Sequence, residues 1–533
     1  MLTNASTAHS GCRPRLFVHY LPEGYRDPND RIGRGVGSTV LVDLQDWPAG
    51  VHMSNSQQYQ LGDLFYERAL GYRCRTHEPT HADLFFVPAF SGSLAQAQKA
   101  EPDAASSPDA MFDRLHAVKT ANGRSVLEAR GGADHILLQA RIGAGFESTP
   151  FAELSYRDAR LGSATRLSME EWAASWAQAL PWPGYHAEAE LYHSVPFNSA
   201  VHLTHTARGV PWAHLRERER RTPLVAASFM LGVHTPTGGG LLVDGSVRAL
   251  RAQLHKSCTA QAAHCEFLFP EARDAQVGEQ RFSQILSLYW RATFCLMPAG
   301  DAATRKGTVD ALLLGCIPVH FHEAQTRQWP WHWGDWHSNA SVYLEHERVM
   351  TGELDAIDAL RAIPPADVAR MRDVISAHAH RMQYSAIDTA FLREGLLPVD
   401  EGDAFDVAIA GAWRASRATG AVRSGRRKQQ LASRVRHAGF CNTTDVGGDC
   451  ASGAQGAWQM RAEQTEHIDT LRAACLKLCD ECERCRFASY SSRWRDCSWF
   501  HACDLSNLHS EIRGFETVQL GQVGGASFTS KGA

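Results

Sequence analysis

Short apolar runs separated by longer amphipathic stretches set the pattern of the first 415 residues. Arg15-Leu16-Phe17-Val18-His19-Tyr20 reads as an opening strand, and Ala82-Asp83-Leu84-Phe85-Phe86-Val87-Pro88 as a buried strand ended by proline. Between them, Leu61 to Leu70 has helical spacing, and His135-Ile136-Leu137-Leu138 is a further short strand. Leu224 to Leu231 opens a second series of such units, and Leu286 to Phe321 forms its centre. Strands alternating with helices predict α/β architecture, here two domains in series dividing near residues 205–225.

Length and charge narrow the picture. At about 150 residues per domain, 533 residues predict about three domains. Lysine and arginine total 54 against 58 acidic residues, a formal charge of −4, which lacks the footprint of a general nucleic-acid binder. No run of about 18 apolar residues occurs, so the chain as given is expected not to span a membrane. Its start, MLTNASTAHS, is polar and lacks a signal pattern. The stretch around Ala95 to Ala110 is rich in Ala, Ser and Pro and reads as a surface loop. From Arg414 to Arg436 there are eight basic residues and no acidic one, the mark of a solvated basic linker or helix face, or of a patch for an acidic partner. The 14 cysteines are uneven, with eight between Cys441 and Cys503.

The segment Ala292 to His322 carries the chemistry. Phe294-Cys295-Leu296-Met297-Pro298 is an apolar strand closed by proline, and Ala299-Gly300-Asp301 a tight turn with Asp301 placed to cap the next helix. Val309, Leu312 and Leu313 give that helix an inward face, Gly315 ends it, and Cys316 to Phe321 is a second buried strand. A helix starting at the carboxyl edge of a parallel sheet offers unpaired N–H groups to an anion. Thr304, Arg305 and Lys306 in its first turn place cations where they oppose the helix dipole, and a bound diphosphate reverses that penalty. Asp310 then stands where a carboxylate can accept from ribose hydroxyls. The competing reading is an ordinary βαβ unit with a solvated polar face.

Phe294-Cys295-Leu296, Pro298, Gly300-Asp301, Thr304-Arg305, Asp310 and Gly315-Cys316-Ile317-Pro318-Val319 together resemble the donor-site signature of the exostosin-like glycosyltransferases. Gln58-Tyr59, Arg73-Cys74-Arg75-Thr76, Ala82 to Pro88 and Gly132-Ala133-Asp134-His135 look like that family's N-terminal half. Ser341-Val342-Tyr343 and Asp403-Ala404-Phe405-Asp406-Val407 look like its C-terminal half. The Thr-Arg-Lys loop and the Phe405 segment most resemble the plant xyloglucan galactosyltransferase branch. The resemblance spans roughly residues 13–413. It implies a GT-B fold, two Rossmann-like domains facing a cleft, over residues 13–215 and 216–413, with a basic linker at 414–436. It also implies inverting transfer from a UDP-sugar, galactose or arabinose first, to a polysaccharide or glycoprotein, with a partner glycosyltransferase subunit as a further candidate. By position, Gly300, Asp301, Thr304, Arg305 and Lys306 line the diphosphate and Asp310 the ribose. No Asp-x-Asp triplet occurs, so transfer is expected without a metal or other cofactor. The rival is a catalytically silent relative that binds glycan or a partner subunit.

Asp134, His135 and His19 are the candidate catalytic bases, each competing with a reading as a packed residue. The family's acidic residue after the position of Tyr59 is Gly62 here, with Asp63 beside it. Gln328 to His337 holds four tryptophans. Trp331 and Trp333 are candidate sugar platforms, against packing onto the core. His320, His322, His332 and His337 lack spacing that fixes a metal site.

Residues 437–520 form the cysteine-dense module, with Cys441, Cys450, Cys475, Cys479, Cys482, Cys485, Cys497 and Cys503. Cys475 and Cys479 share a helix face, and 485–490 and 497–500 alternate like a hairpin. The arrangement resembles an Apple/PAN-type module with four disulfides, pairing open. Cys479-x-x-Cys482-x-x-Cys485 allows a zinc site instead. Sequons at Asn4, Asn339 and Asn442 and the family favour disulfides in the Golgi lumen or secretory pathway, with a membrane anchor absent from this chain. Of the other cysteines, Cys258 and Cys265 lie in a loop that resembles the family's and are candidates to pair, Cys295 and Cys316 read as buried free thiols, and Cys12 and Cys74 are unassigned.

Overall fold

The computed structural model describes residues 12–20, 51–53, 61–90, 108–139, 161, 163–170, 191–203, 210, 212, 223–231, 245–270, 275–300, 303–385, 402–432, 436–444, 447–460, 468–482, 484–512 and 514–519. The chain divides into two compact units, Met1–Ala418 and Thr419–Ala533. Among the described residues no helix is long and apolar enough to cross a membrane.

The first part of unit one contributes β1 (Leu16–Val18), β2 (Val51–Met53), β3 (Arg75–Thr76), β4 (Leu84–Phe90), β5 (His135–Gln139), β6 (Thr165–Ser168), β7 (Tyr192–Ser194) and β8 (Val201–Leu203). Six of them form a parallel sheet in the order β3-β1-β4-β5-β6-β7, while β2 and β8 make a separate antiparallel pair. Leu84, Phe86, Ile136, Leu138 and Leu167 are fully buried, as near-continuous apolar runs in a parallel sheet require. Pro88 does not end β4. The strand runs on to Phe90, with its register against β5 shifting between Phe86 and Phe90, where a residue without N–H interrupts the ladder.

The second part holds β9 (Val225–Ala227), β10 (Cys265–Phe267), β11 (Phe294–Leu296), β12 (Ile317–His320) and β13 (Val342–Tyr343), all parallel in the order β10-β9-β11-β12-β13. Helices Gly245–Ala260, Ala275–Arg291 and Lys306–Leu313 connect successive strands. One apolar core runs through both sheets. The carboxyl ends of the sheets meet. The Trp329 N–H donates to Ser194 Oγ at the end of β7 (2.8 Å), and its indole N–H donates to the Met169 carbonyl just beyond β6 (3.0 Å). Two Rossmann-like units joined through their strand ends make a GT-B fold. Arg68, itself buried, adds a second tie by pairing with Asp403 at 2.7 and 2.9 Å.

All 14 cysteines are paired. Cys12–Cys74 and Cys258–Cys265 lie in unit one. Cys295 and Cys316, expected as free thiols, are bridged. β11 and β12 are hydrogen-bonded neighbours, which brings the two Cα atoms to 5.9 Å, within disulfide reach. The expected basic linker is helical over most of its length, because a single 29-residue helix runs from Ala404 to Ala432.

Unit two has β14 (Arg436–Ala438), β15 (Gln455–Ala457), β16 (Phe487–Ser491), β17 (Asp496–Phe500) and β18 (Glu516–Gln519), an antiparallel sheet ordered β14-β18-β16-β17-β15. Helix Ile468–Asp480 packs on it through Leu471, Cys475 and Cys479, against Tyr490 and Trp499. The bridges are Cys441–Cys503, Cys450–Cys482, Cys475–Cys497 and Cys479–Cys485. The Cys479, Cys482 and Cys485 sulfurs are thereby committed to disulfides rather than to zinc.

Candidate active site at the meeting of two sheet edges

The loop between β11 and helix Lys306–Leu313 is held by its backbone. Met297 N–H donates to the Val319 carbonyl (2.9 Å), and Gln325 Nε2 to the Met297 carbonyl (2.7 Å). Arg251, buried on helix Gly245–Ala260, donates from Nε (3.0 Å) and Nη2 (2.7 Å) to the Ala299 carbonyl and from Nη1 (2.9 Å) to that of Met230. A Cβ at Gly300 would stand 3.0 Å from Arg251 Nη2 and 3.2 Å from Arg305 Nη1. Two guanidinium groups therefore converge on the one loop residue with no side chain. The sequence singled out Arg305, whereas Arg251 lies some fifty positions upstream in a helix with nothing to distinguish it.

Asp301 lies outside the described residues. The helix N-cap is Arg305, extended at φ −138° and ψ 127°, with no side-chain capping bond. Thr304 and Arg305 consequently precede the helix instead of occupying its first turn, and the N-cap residue's own side chain does not cap it. Lys306 is the first helical residue. Its ammonium lies 3.0 and 3.2 Å from the Asp310 carboxylate and 4.7 Å from the Phe282 ring centre. Asp310 is 2% exposed and also accepts from Ser199 Oγ, which follows β7 in the first sheet. Burial, the Arg305 charge and the Asp310 charge all act on the Tyr289 phenol. Burial dominates and raises its pKa, Arg305 opposes, and Asp310 adds.

Thr304 Oγ1 donates to Glu170 Oε1 at 2.7 Å. Glu170 is 7% exposed and lies two residues beyond β6. Sequence reasoning missed it because Thr165-Arg166-Leu167-Ser168 is too polar to register as a strand. The available signal was the Glu170-Glu171 pair placed one β-unit after His135.

The expected bases are elsewhere. His135 opens β5 and Asp134 precedes it, so both sit at the amino edge of the sheet. Ile136 is level with Thr165, which leaves Glu170 five residues further along, about 16 Å at 3.3 Å per residue. Asp134 Oδ1 lies 2.9 Å from His135 Nδ1, and the His135 ring stacks on Phe85 (4.9 Å) and His19 (5.3 Å). Burial, then the neighbouring His135, holds His19 well below the usual histidine pKa. Asp134 and His135 thus sit at the amino edge of β5, and His19, just past the carboxyl end of β1, stacks on His135 in a buried cluster.

The two candidate platform tryptophans differ in burial. Trp333 is 1% exposed, donates to the Gln328 carbonyl (2.9 Å) and packs among Trp329, Trp336 and His337. Trp331 lies 4.1 Å from the His193 ring and fills the space over Gly411 where a Cβ would stand. Trp333 is thus part of the packed core, while Trp331 is half-buried. His322 caps helix Glu323–Thr326, and His332 lies 3.0 Å from the Ala404 carbonyl. His320 stacks on His337, and burial lowers the His320 and His332 pKa values to about 3. Among the described residues no three metal-ligating side chains gather.

Residues 12–358, well over half the chain, match the Exostosin GT47 domain. The chain belongs to that family. As a GT47 glycosyltransferase it is 28% identical to the probable xyloglucan galactosyltransferase GT19 of Arabidopsis thaliana, over 65% of this chain and 75% of that protein. Identity to the probable xyloglucan galactosyltransferase GT17 of the same plant is also 28%, covering 62% and 67%. The xyloglucan-specific galacturonosyltransferase 1 of Arabidopsis thaliana is 25% identical, covering 60% and 44%. In this GT47 chain the converging guanidiniums and the helix start form one wall of the candidate site, and the end of β6 with its carboxylate forms the other.

Proposed function

We propose that the chain is an inverting glycosyltransferase that moves a sugar from a UDP-sugar to a polysaccharide hydroxyl without a metal on the diphosphate. The observation that carries this reading is the convergence of Arg251 and Arg305 on Gly300, just before the start of helix Lys306–Leu313. Two cations beside a helix start supply the charge stabilisation a departing diphosphate needs. The acceptor oxygen bonds to the anomeric carbon as the bond to the diphosphate oxygen breaks, and the leaving group takes the electron pair. Galactose is the first donor sugar to try and xyloglucan the first acceptor, because the GT19 and GT17 relatives carry those names. Arabinose and galacturonate follow. Seven disulfides suit the oxidising secretory lumen.

The test is UDP release from a panel of UDP-sugars with acceptor, in EDTA and in manganese. Transfer should persist in EDTA, and Arg305→Ala should lower kcat/KM by 10²-fold or more. Activity lost in EDTA and restored by manganese would refute metal independence. Equal background release by wild type and Arg305→Ala would leave a glycan-binding protein without transfer.

A further inference from the structure

We propose that Glu170 is the general base that takes the acceptor hydroxyl's proton, an assignment that rests on the inverting-transfer reading above. Inverting displacement needs a proton acceptor on the side of the site that faces the donor loop. The carboxylates described in the first part of unit one are otherwise placed. Asp134 is at the amino edge of β5 in the histidine stack. Asp83, just before β4, accepts from the Arg15 backbone N–H at 2.8 Å. Glu78, Asp113 and Glu128 are exposed, and Glu67 lies on helix Leu61–Leu70, three residues before its end. Glu170 alone among them has a carboxylate within hydrogen-bond distance of the donor loop, through Thr304.

Position and chemistry agree. Glu170 follows the carboxyl end of β6, the edge at which parallel α/β sheets place their ligand-binding groups. The Thr304 hydroxyl fixes one carboxylate oxygen, and the Glu170 backbone N–H donates to Ser168 Oγ at 3.3 Å, so the group is oriented before substrate arrives. In the step itself the acceptor O–H proton moves to the Glu170 carboxylate while the acceptor oxygen bonds to the anomeric carbon. The electron pair of the breaking bond leaves on the diphosphate, beside Arg251 and Arg305. The neutral carboxylic acid then returns its proton to solvent. The same contact ties base and leaving-group loop together, so both reach working geometry only when the two sheet edges meet.

The experiment compares wild type, Glu170→Gln, Glu170→Asp and Thr304→Val in steady-state transfer from the best UDP-sugar, with UDP affinity measured by calorimetry. Glu170→Gln keeps an oxygen for Thr304, so the site stays assembled. It should lower kcat by about 10²- to 10⁴-fold, leave UDP affinity within about twofold of wild type and flatten the acidic limb of the pH–kcat profile. Glu170→Asp should recover part of the loss, and Thr304→Val should lower kcat far less than Glu170→Gln. A Glu170→Gln kcat within tenfold of wild type overturns the assignment. So does a Thr304→Val loss as large as that of Glu170→Gln, which marks Glu170 as a clamp on the loop. Absence of turnover by the wild type with every UDP-sugar overturns the transfer reading, and the base assignment with it.

Discussion

Gly315 shows how one residue holds the two halves of unit one together. Its φ is +69°, in the left-handed region, and a Cβ there would stand 2.6 Å from the Trp212 ring. That ring is 1% exposed and donates its N–H to the Leu313 carbonyl at 2.8 Å, so it has no room to retreat. Gly315→Ala combines backbone strain with overpacking and should destabilise by about 2–4 kcal/mol, read as a lower urea midpoint. Asp406 illustrates a different residue-scale effect. Burial first, then the Asp403 charge beside it, raise its pKa, with Arg68 pulling the other way. Between about pH 4, where the unfolded carboxyl titrates, and its raised folded value, the folded protein binds the extra proton. Stability from this group is therefore present at low pH and lost as pH rises through the folded pKa. Asp406→Asn should flatten that fall, and denaturant midpoints at pH 5 and pH 8 should favour the variant more at the higher pH.

At the scale of elements, periodicity read most strands and missed their company. The strands beginning at Leu16, Leu84, His135, Val225, Phe294 and Ile317 all lie in apolar runs visible in the chain. β6 and β7 do not, since Thr165-Arg166-Leu167-Ser168 and Tyr192-His193-Ser194 carry polar side chains that only the folded interior satisfies. Arg166, for example, donates to the Ala164 and Leu161 carbonyls at 2.8 and 3.0 Å. That gap hid Glu170. In the cysteine-rich unit, helical spacing and the hairpin alternation were legible, while the pairing of its cysteines was not. Cys475–Cys497 staples helix Ile468–Asp480 to β17 across a sequence separation of 22, which the chain-entropy relation values at about 3 kcal/mol. Replacing both cysteines with Ala should lower the unit's unfolding free energy by about that amount, while UDP release by the intact chain should stay at the wild-type level.

At the scale of the whole molecule, the family's loop, the α/β alternation and the separate cysteine-dense segment were all determined by the sequence, because each rests on residues near one another in the chain. Strand-closing prolines, turn glycines and helical spacing are local physics. What only the tertiary structure decided is which distant side chains share a site. Arg251 reaches Gly300 because its helix packs beneath the loop. Glu170 reaches Thr304 because two sheets meet at their carboxyl ends. Asp134 and His135 recede from the site because β5 starts at the far edge, and Cys295 meets Cys316 because β11 and β12 pair. Direction and adjacency of strands are set by the packing of one shared core, a long-range balance of buried apolar surface that no short window of sequence contains.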